Sequence, residues 1–213
     1  MRLVRPAIDL LPLMPVVRDD ETWTYRRTDT NHQFSVSCTQ LLAFDQSLAA
    51  AAAIEASRHI WQPRGNGVHA ALEAWLLHGT EPDPADTYID WILPLLSHEA
   101  WQRVTVIGIE SRMFDMGDDV AGTGDVLVRY EDGTVGAWDL KTKESKRSSR
   151  QDVKPQLGFA TRVLMDHYRL LPSRCVVLWS YLGQCQLTTH TADECHMAWQ
   201  DRVEAYDMAM RQW

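Results

Sequence analysis

Residues 125–141 read DVLVRYEDGTVGAWDLK, and this stretch decides the fold. β-branched and apolar residues dominate both halves, and Glu131, Asp132 and Gly133 supply the turn between them, so a hairpin is predicted with strands at 125–130 and 134–141. Successive side chains on a strand point to opposite faces, which sends Asp139 and Lys141 to the same one. The short turn returns Asp125 to the same end of the hairpin as Asp139. Two carboxylates and an ammonium therefore gather, and carboxylate oxygens are the donors a hard divalent cation takes. The expectation is a site for Mg²⁺ or Mn²⁺.

Working outward, residues 103–110 (RVTVIGIE) predict a strand before the hairpin. After it come a helix over 153–168, a strand over 175–182 and its partner over 184–190 across Gly183, then a closing helix over 191–213. Upstream, the alanine-rich stretch 37–60 predicts a helix, and Pro63, Gly65 and Gly67 predict a break near Gly65. Residues 68–77 predict a further helix, and 88–96 another, interrupted at Pro94. Residues 1–31 show no firm period and read as a peripheral arm. The order of helices, three strands, helix, two strands and helix predicts a single α/β domain over 1–213, with a central mixed sheet flanked by helices.

A chain of 213 residues that is 45% hydrophobic has material for one substantial core. Its formal charge of −8 does not by itself suggest nucleic acid, since phosphate affinity comes from local Lys and Arg. Residues 141–154 (KTKESKRSSRQDVK) concentrate such cations directly after the hairpin, as a phosphate-tracking surface or as an ordinary basic loop. No apolar run is long enough to span a bilayer and the N-terminus lacks a secretory pattern, so a cytoplasmic protein without a membrane partner is expected. Cys38, Cys175, Cys185 and Cys195 lack the close pairing of a metal ribbon and read as buried free thiols. An iron–sulfur cluster is not expected from that spacing.

Gly122-Thr123-Gly124-Asp125 followed by Asp139-Leu140-Lys141-Thr142 resembles the G-x-x-D and D-x-K-T elements of PD-(D/E)XK nucleases, most nearly the RecB-like and phage exonuclease branch. Gly65-Asn66-Gly67-Val68-His69 is similar to the branch's G-x-x-x-H element, and Gln156 to the glutamine of its Q-x-x-x-Y element. Ala160 stands where that element has tyrosine, so the resemblance implies no contact there. The resemblance covers roughly 37–181 and implies a restriction-endonuclease-like αβββαβ core. It implies a divalent-metal-dependent DNA nuclease, an exonuclease of recombination, repair or phage DNA processing, in a bacterial cell or phage-infected host. His69, Glu110, Asp125, Asp139 and the Leu140 carbonyl are then the expected metal ligands, with Asp125, Asp139, Lys141 and Gln156 at the chemistry. Lys143, Lys146, Arg147, Arg150 and Lys154 are the expected nucleic-acid contacts.

Plainer alternatives stand beside these assignments. His69 is four residues from Glu73 and has the spacing of a helix-packing pair, and Glu110 has the position of a strand-edge charge. An endonuclease, or a catalytically silent nucleic-acid-binding or assembly subunit, shares the same core. RNA is open as a substrate, as are a homo-oligomer and a recombination partner protein.

Overall fold

A computed structural model describes residues 3–146, 148 and 150–211. Its centre is a mixed sheet of seven strands, in the order β1 (Ala7–Ile8), β5 (Val104–Asp115), β6 (Val120–Tyr130), β7 (Val135–Thr142), β8 (Arg174–Tyr181) and β9 (Gln184–Thr191), with β4 (Val36–Ser37) beside β6. β5, β6 and β7 are antiparallel neighbours. β7 and β8 run parallel, which requires a crossover, and α5 (Lys154–Asp166) supplies it. β2 (Val16–Asp19) and β3 (Thr24–Arg27) form a separate two-stranded sheet.

Helices cover both faces. α3 (Arg58–His78) and α4 (Ile89–Leu96) pack with Trp101, Trp138 and Leu140 on one side. On the other, α1 (Cys38–Ala43), α5 and α6 (Ala192–Met210) pack with Ala137, Val177 and Trp179. The alternation of β7 is thus divided between two cores, Trp138 and Leu140 to one and Ala137 to the other. α5 and α6 approach so closely that a Cβ on Gly158 would lie 2.0 Å from the Cys195 carbonyl oxygen. No described helix is long and apolar enough to cross a membrane.

The hairpin forms as its turn residues dictate: Gly133 takes φ +84°, and Tyr130 N–H donates to the Thr134 carbonyl at 2.8 Å. Four upstream expectations are corrected. The 37–60 helix is two helices, α1 and α2 (Leu48–Ala56), each opened by a serine cap, at Ser37 and Ser47. No break occurs at Gly65, because α3 runs unbroken through Pro63, Gly65 and Gly67. Pro63 lies in the second turn of the helix, and Gly67 is demanded by packing, since a Cβ there would lie 2.7 Å from the Tyr88 ring. Pro94 likewise does not interrupt α4. It leaves the Asp90 carbonyl without its helical donor, and the Gly183 N–H of the β8–β9 turn fills that place at 2.9 Å.

The N-terminal segment is not a peripheral arm. β1 extends the sheet beside β5, and Met14, Val16 and Tyr25 are buried in the same core as α1 and α5 residues. Its pattern is hidden because the buried residues are spread over very short strands, with no sustained period to read.

The two glycines separate two causes of instability. Gly158→Ala meets backbone and is expected to cost at least ~2 kcal/mol, as overpacking in a dense core does. Gly133→Ala meets nothing within 4 Å and pays only for its positive φ, about 1 kcal/mol. Urea midpoints of the two variants check the order.

Candidate metal centre

The centre forms where β6 and β7 part. Their ladder ends at the Val126–Trp138 pair, and one more step of that register sets Asp125 opposite Asp139. There the Asp125 side chain takes over from the backbone, its Oδ2 accepting the Leu140 N–H at 2.7 Å. On β5 the register slips by one residue between Val106 and Gly108. This bulge sets Glu110 opposite Asp125, between the Ile109–Val126 and Ser111–Gly124 pairs. Three carboxylates therefore stand level on three adjacent strands. Glu110 is held at φ +43°, a left-handed conformation that costs a non-glycine residue about 1–3 kcal/mol.

α3 brings His69 down onto this row. Its Nδ1 lies 3.0 Å from Glu110 Oε1, and its Nε2 lies 3.3 Å from the Leu140 carbonyl oxygen and 3.9 Å from Asp125 Oδ2. Glu73 is not its partner, so the helix-packing alternative for His69 is not realised. Burial works against a charge on the imidazole, but Asp125 and Glu110 outweigh it and lift its pKa to about 9. Burial raises Asp125 above the usual carboxylate range, with His69 and Lys141 opposing.

Asp139 and Lys141 turn together toward the α1 and α5 side. Lys141 Nζ lies 2.8 Å from Asp139 Oδ1 and 2.7 Å from Oδ2, and donates to Gln156 Oε1 at 3.1 Å. Burial pushes Asp139 up to about 6 against the attraction of Lys141, with Asp125 adding to the rise. Burial would lower Lys141, but Asp139 and Asp125 more than compensate and raise it. Cys38 lies close enough to feel both charges; burial, then Asp139, pushes its thiol up to about 12 and keeps it neutral. Gln156 is aimed at Lys141 because Val153 and Leu157, on either side, are buried and anchor the first turn of α5. Ala160, one turn on, is buried toward Gly124 in the sheet.

The donor set suits a divalent cation. A six-coordinate Mg²⁺ about 2.1 Å from its ligands sets adjacent ligand atoms roughly 3.0 Å apart and opposite ones roughly 4.2 Å. The Nε2 separations from the Leu140 oxygen and Asp125 Oδ2 fall in that interval, and ligand atoms of His69, Glu110 and Asp125 all lie within 4.8 Å of one another. Asp139 is not in that group: its Oδ2 is buried and lies 2.7 Å from the Lys141 ammonium. With Glu110 on Nδ1, the ring presents Nε2 to the cleft, the usual support for a ligating histidine.

The basic residues divide. Lys143 is half-buried beside the centre, while Lys146 is exposed. Arg150 is fastened to β8 and β9, donating to Tyr181 Oη at 2.9 Å and Gln186 Oε1 at 2.8 Å with its guanidinium 5.0 Å from the Trp179 ring. Lys154 opens α5. Arg147 lies outside the described residues. The four cysteines are free: Cys175 and Cys195 are buried in the α5–α6 core, and Cys185 packs at the edge of the α3–α4 one.

Sequence reasoning did not find Arg64. Its guanidinium is buried, donating to Glu144 Oε2 at 2.5 Å and lying 5.4 Å from the Trp91 ring. The only available signal was its place immediately before Gly65.

No family model matches the chain, and no curated protein matches it. Among solved structures, the chain is similar to one described as "Crystal structure of SSO0001", at 14% identity and a TM-score of 0.42, over 81% of this chain and 75% of that one.

Asp125→Asn keeps an acceptor for the Leu140 N–H and removes a charged donor. Wild type is expected to gain about 2.7 kcal/mol at Mn²⁺ a hundredfold above its Kd, a rise of roughly 5–10 °C in melting temperature for a chain of this size. Asp125→Asn is expected to lose most of that rise while folding normally, as differential scanning fluorimetry with Mn²⁺ or EDTA reads.

Proposed function

We propose that the protein is a divalent-metal-dependent deoxyribonuclease, built on a restriction-endonuclease-like αβββαβ core. α3, β5, β6, β7, α5 and β8 follow the element order of that core. The observation that carries the reading is the convergence of Asp125, Asp139 and Lys141 at the parting of two strands, with His69 Nε2 and the Leu140 carbonyl closing the same pocket. A structural salt bridge has no need of an additional imidazole, carbonyl and pair of carboxylates at one point, and desolvating so many charges is costly unless they act together.

The residues would hold the cation through His69 Nε2, Asp125, Asp139 and the Leu140 carbonyl, with Glu110 orienting His69 through Nδ1. A cation held there supplies Lewis acidity toward a phosphate oxygen and lowers the pKa of a coordinated water. Asp139 holds the Lys141 ammonium in place. Gln156 directs it from the other side. Lys141, so positioned, neutralises charge that builds on the phosphate and orients the attacking water. Gln156, half-buried beside Lys141, has an amide nitrogen to offer the sugar-phosphate chain. Exonuclease action in recombination, repair or phage DNA processing is the more specific proposal, resting on the motif resemblance to that branch.

End-labelled linear and covalently closed circular DNA, incubated with Mg²⁺, Mn²⁺ or EDTA, provide the test. Metal-dependent loss of linear DNA is expected, with Lys141→Ala reducing the rate by roughly 10²–10⁴. Cutting of closed circles assigns an endonuclease instead. No cleavage of DNA or RNA by wild type with either metal sinks the hydrolytic reading.

A further inference from the structure

One cationic group near the centre is not used by the chemistry above. Arg64, on α3, has a side chain only 8% exposed, yet Glu144, its one carboxylate partner among the described residues, is 67% exposed. The guanidinium is fixed in place by the Trp91 ring beside it and by Thr142 Oγ1 at 3.5 Å from Nε. Trp91 is itself fixed, its Nε1 donating to the Lys143 carbonyl at 2.9 Å and its carbonyl accepting from Ser180 Oγ at 2.8 Å. The platform is buried and the counter-ion is exposed.

Lys143 adds a second cation. Its backbone is pinned to β8 through the Ser180 carbonyl at 2.9 Å, while among the described residues its ammonium makes no hydrogen bond or ion pair. Burial, then Lys141 and Arg64, holds that ammonium below its ordinary range. Lys141 is thus engaged by Asp139 and Asp125, while Arg64 has the surface carboxylate Glu144 as its partner and Lys143 stands beside it. The backbone beside Arg64 is open: a Cβ on Gly65 would meet only Thr142 Oγ1, at an ordinary 3.8 Å, so packing does not require glycine there.

We propose that Arg64 and Lys143 form a second phosphate site beside the metal centre, which takes a neighbouring phosphate of the bound nucleic acid and is capped in the free protein by Glu144. The planar guanidinium fork matches two phosphate oxygens, and phosphate can take the place of the exposed Glu144 carboxylate on it. Lys143 lies two residues past Lys141, about 6.6 Å along an extended strand, so the phosphate it meets is not the one Lys141 faces. Its position along the nucleic acid rests on the nuclease reading; the phosphate chemistry of the site does not.

Fluorescence anisotropy in EDTA reads this site without cleavage, using a short labelled DNA that carries a 5′-phosphate, a 3′-phosphate or neither. Arg64→Met keeps an unbranched apolar side chain at this buried position and is expected to weaken binding on the order of tenfold. Glu144→Gln, on an exposed side chain, is expected to tighten binding several-fold. A loss in Arg64→Met confined to one phosphorylated end assigns a terminal phosphate, and an equal loss for all three assigns an internal one; both support the site. Wild-type affinity in Arg64→Met, or unchanged affinity in Glu144→Gln, overturns it, and Glu144→Gln alone decides should Arg64→Met fail to fold. Tightening by Glu144→Gln in a protein that cleaves nothing leaves the phosphate site standing and removes the nuclease.

Discussion

The bond from the Leu140 N–H to the Asp125 carboxylate is the constraint on which the centre depends. At the point where β6 stops pairing with β7, a buried peptide N–H needs an acceptor, and a side chain supplies one. The substitution does two things at once. It lets the strands part without an orphaned donor, and it turns the Leu140 carbonyl and a carboxylate oxygen toward the same cleft. His69 then meets both from α3. A continuous ladder would close that cleft.

A second irregularity completes the row. Without the bulge between Val106 and Gly108, the register of β5 against β6 would set Gly124, not Asp125, opposite Glu110. Gly108 is needed for it, since a Cβ there would lie 2.6 Å from Ser111 Oγ and 2.8 Å from Leu127. Glu110 then carries its strained φ. Two departures from regular sheet, one on each side of Asp125, thus bring Glu110, Asp125 and His69 within reach of a single ion.

What was legible in the chain follows from this. The hairpin, the shared face of Asp139 and Lys141 and the helix after them are local matters of period and turn chemistry, and sequence reasoning reaches them. Asp125 was read as opening its strand, whereas β6 begins at Val120, because Gly122 and Gly124 hide strand character while fitting under Phe159 and Met113. The bulge, the continuity of α3 through Pro63 and the burial of the N-terminal segment depend on partners distant in sequence. Arg64 was invisible for the same reason: its meaning lies in Trp91 and Glu144, which no spacing rule connects to it.

Charge explains why the arrangement suits a cation better than a proton. Glu110, Asp125 and Asp139 contribute a formal −3, and Lys141 with a protonated His69 contribute +2, leaving the metal-free cluster at −1. A divalent cation that displaces the His69 proton brings the sum to zero, and frees Nε2 to act as a ligand in the same step. The proton that Asp125 and Glu110 hold on His69, with its pKa lifted to about 9, acts as a placeholder for part of that charge. On the proposed reading the acidic total of the chain is no obstacle to phosphate, because a cation held there would neutralise the carboxylates of the cleft, and Lys141, Lys143 and Arg64 are themselves cations.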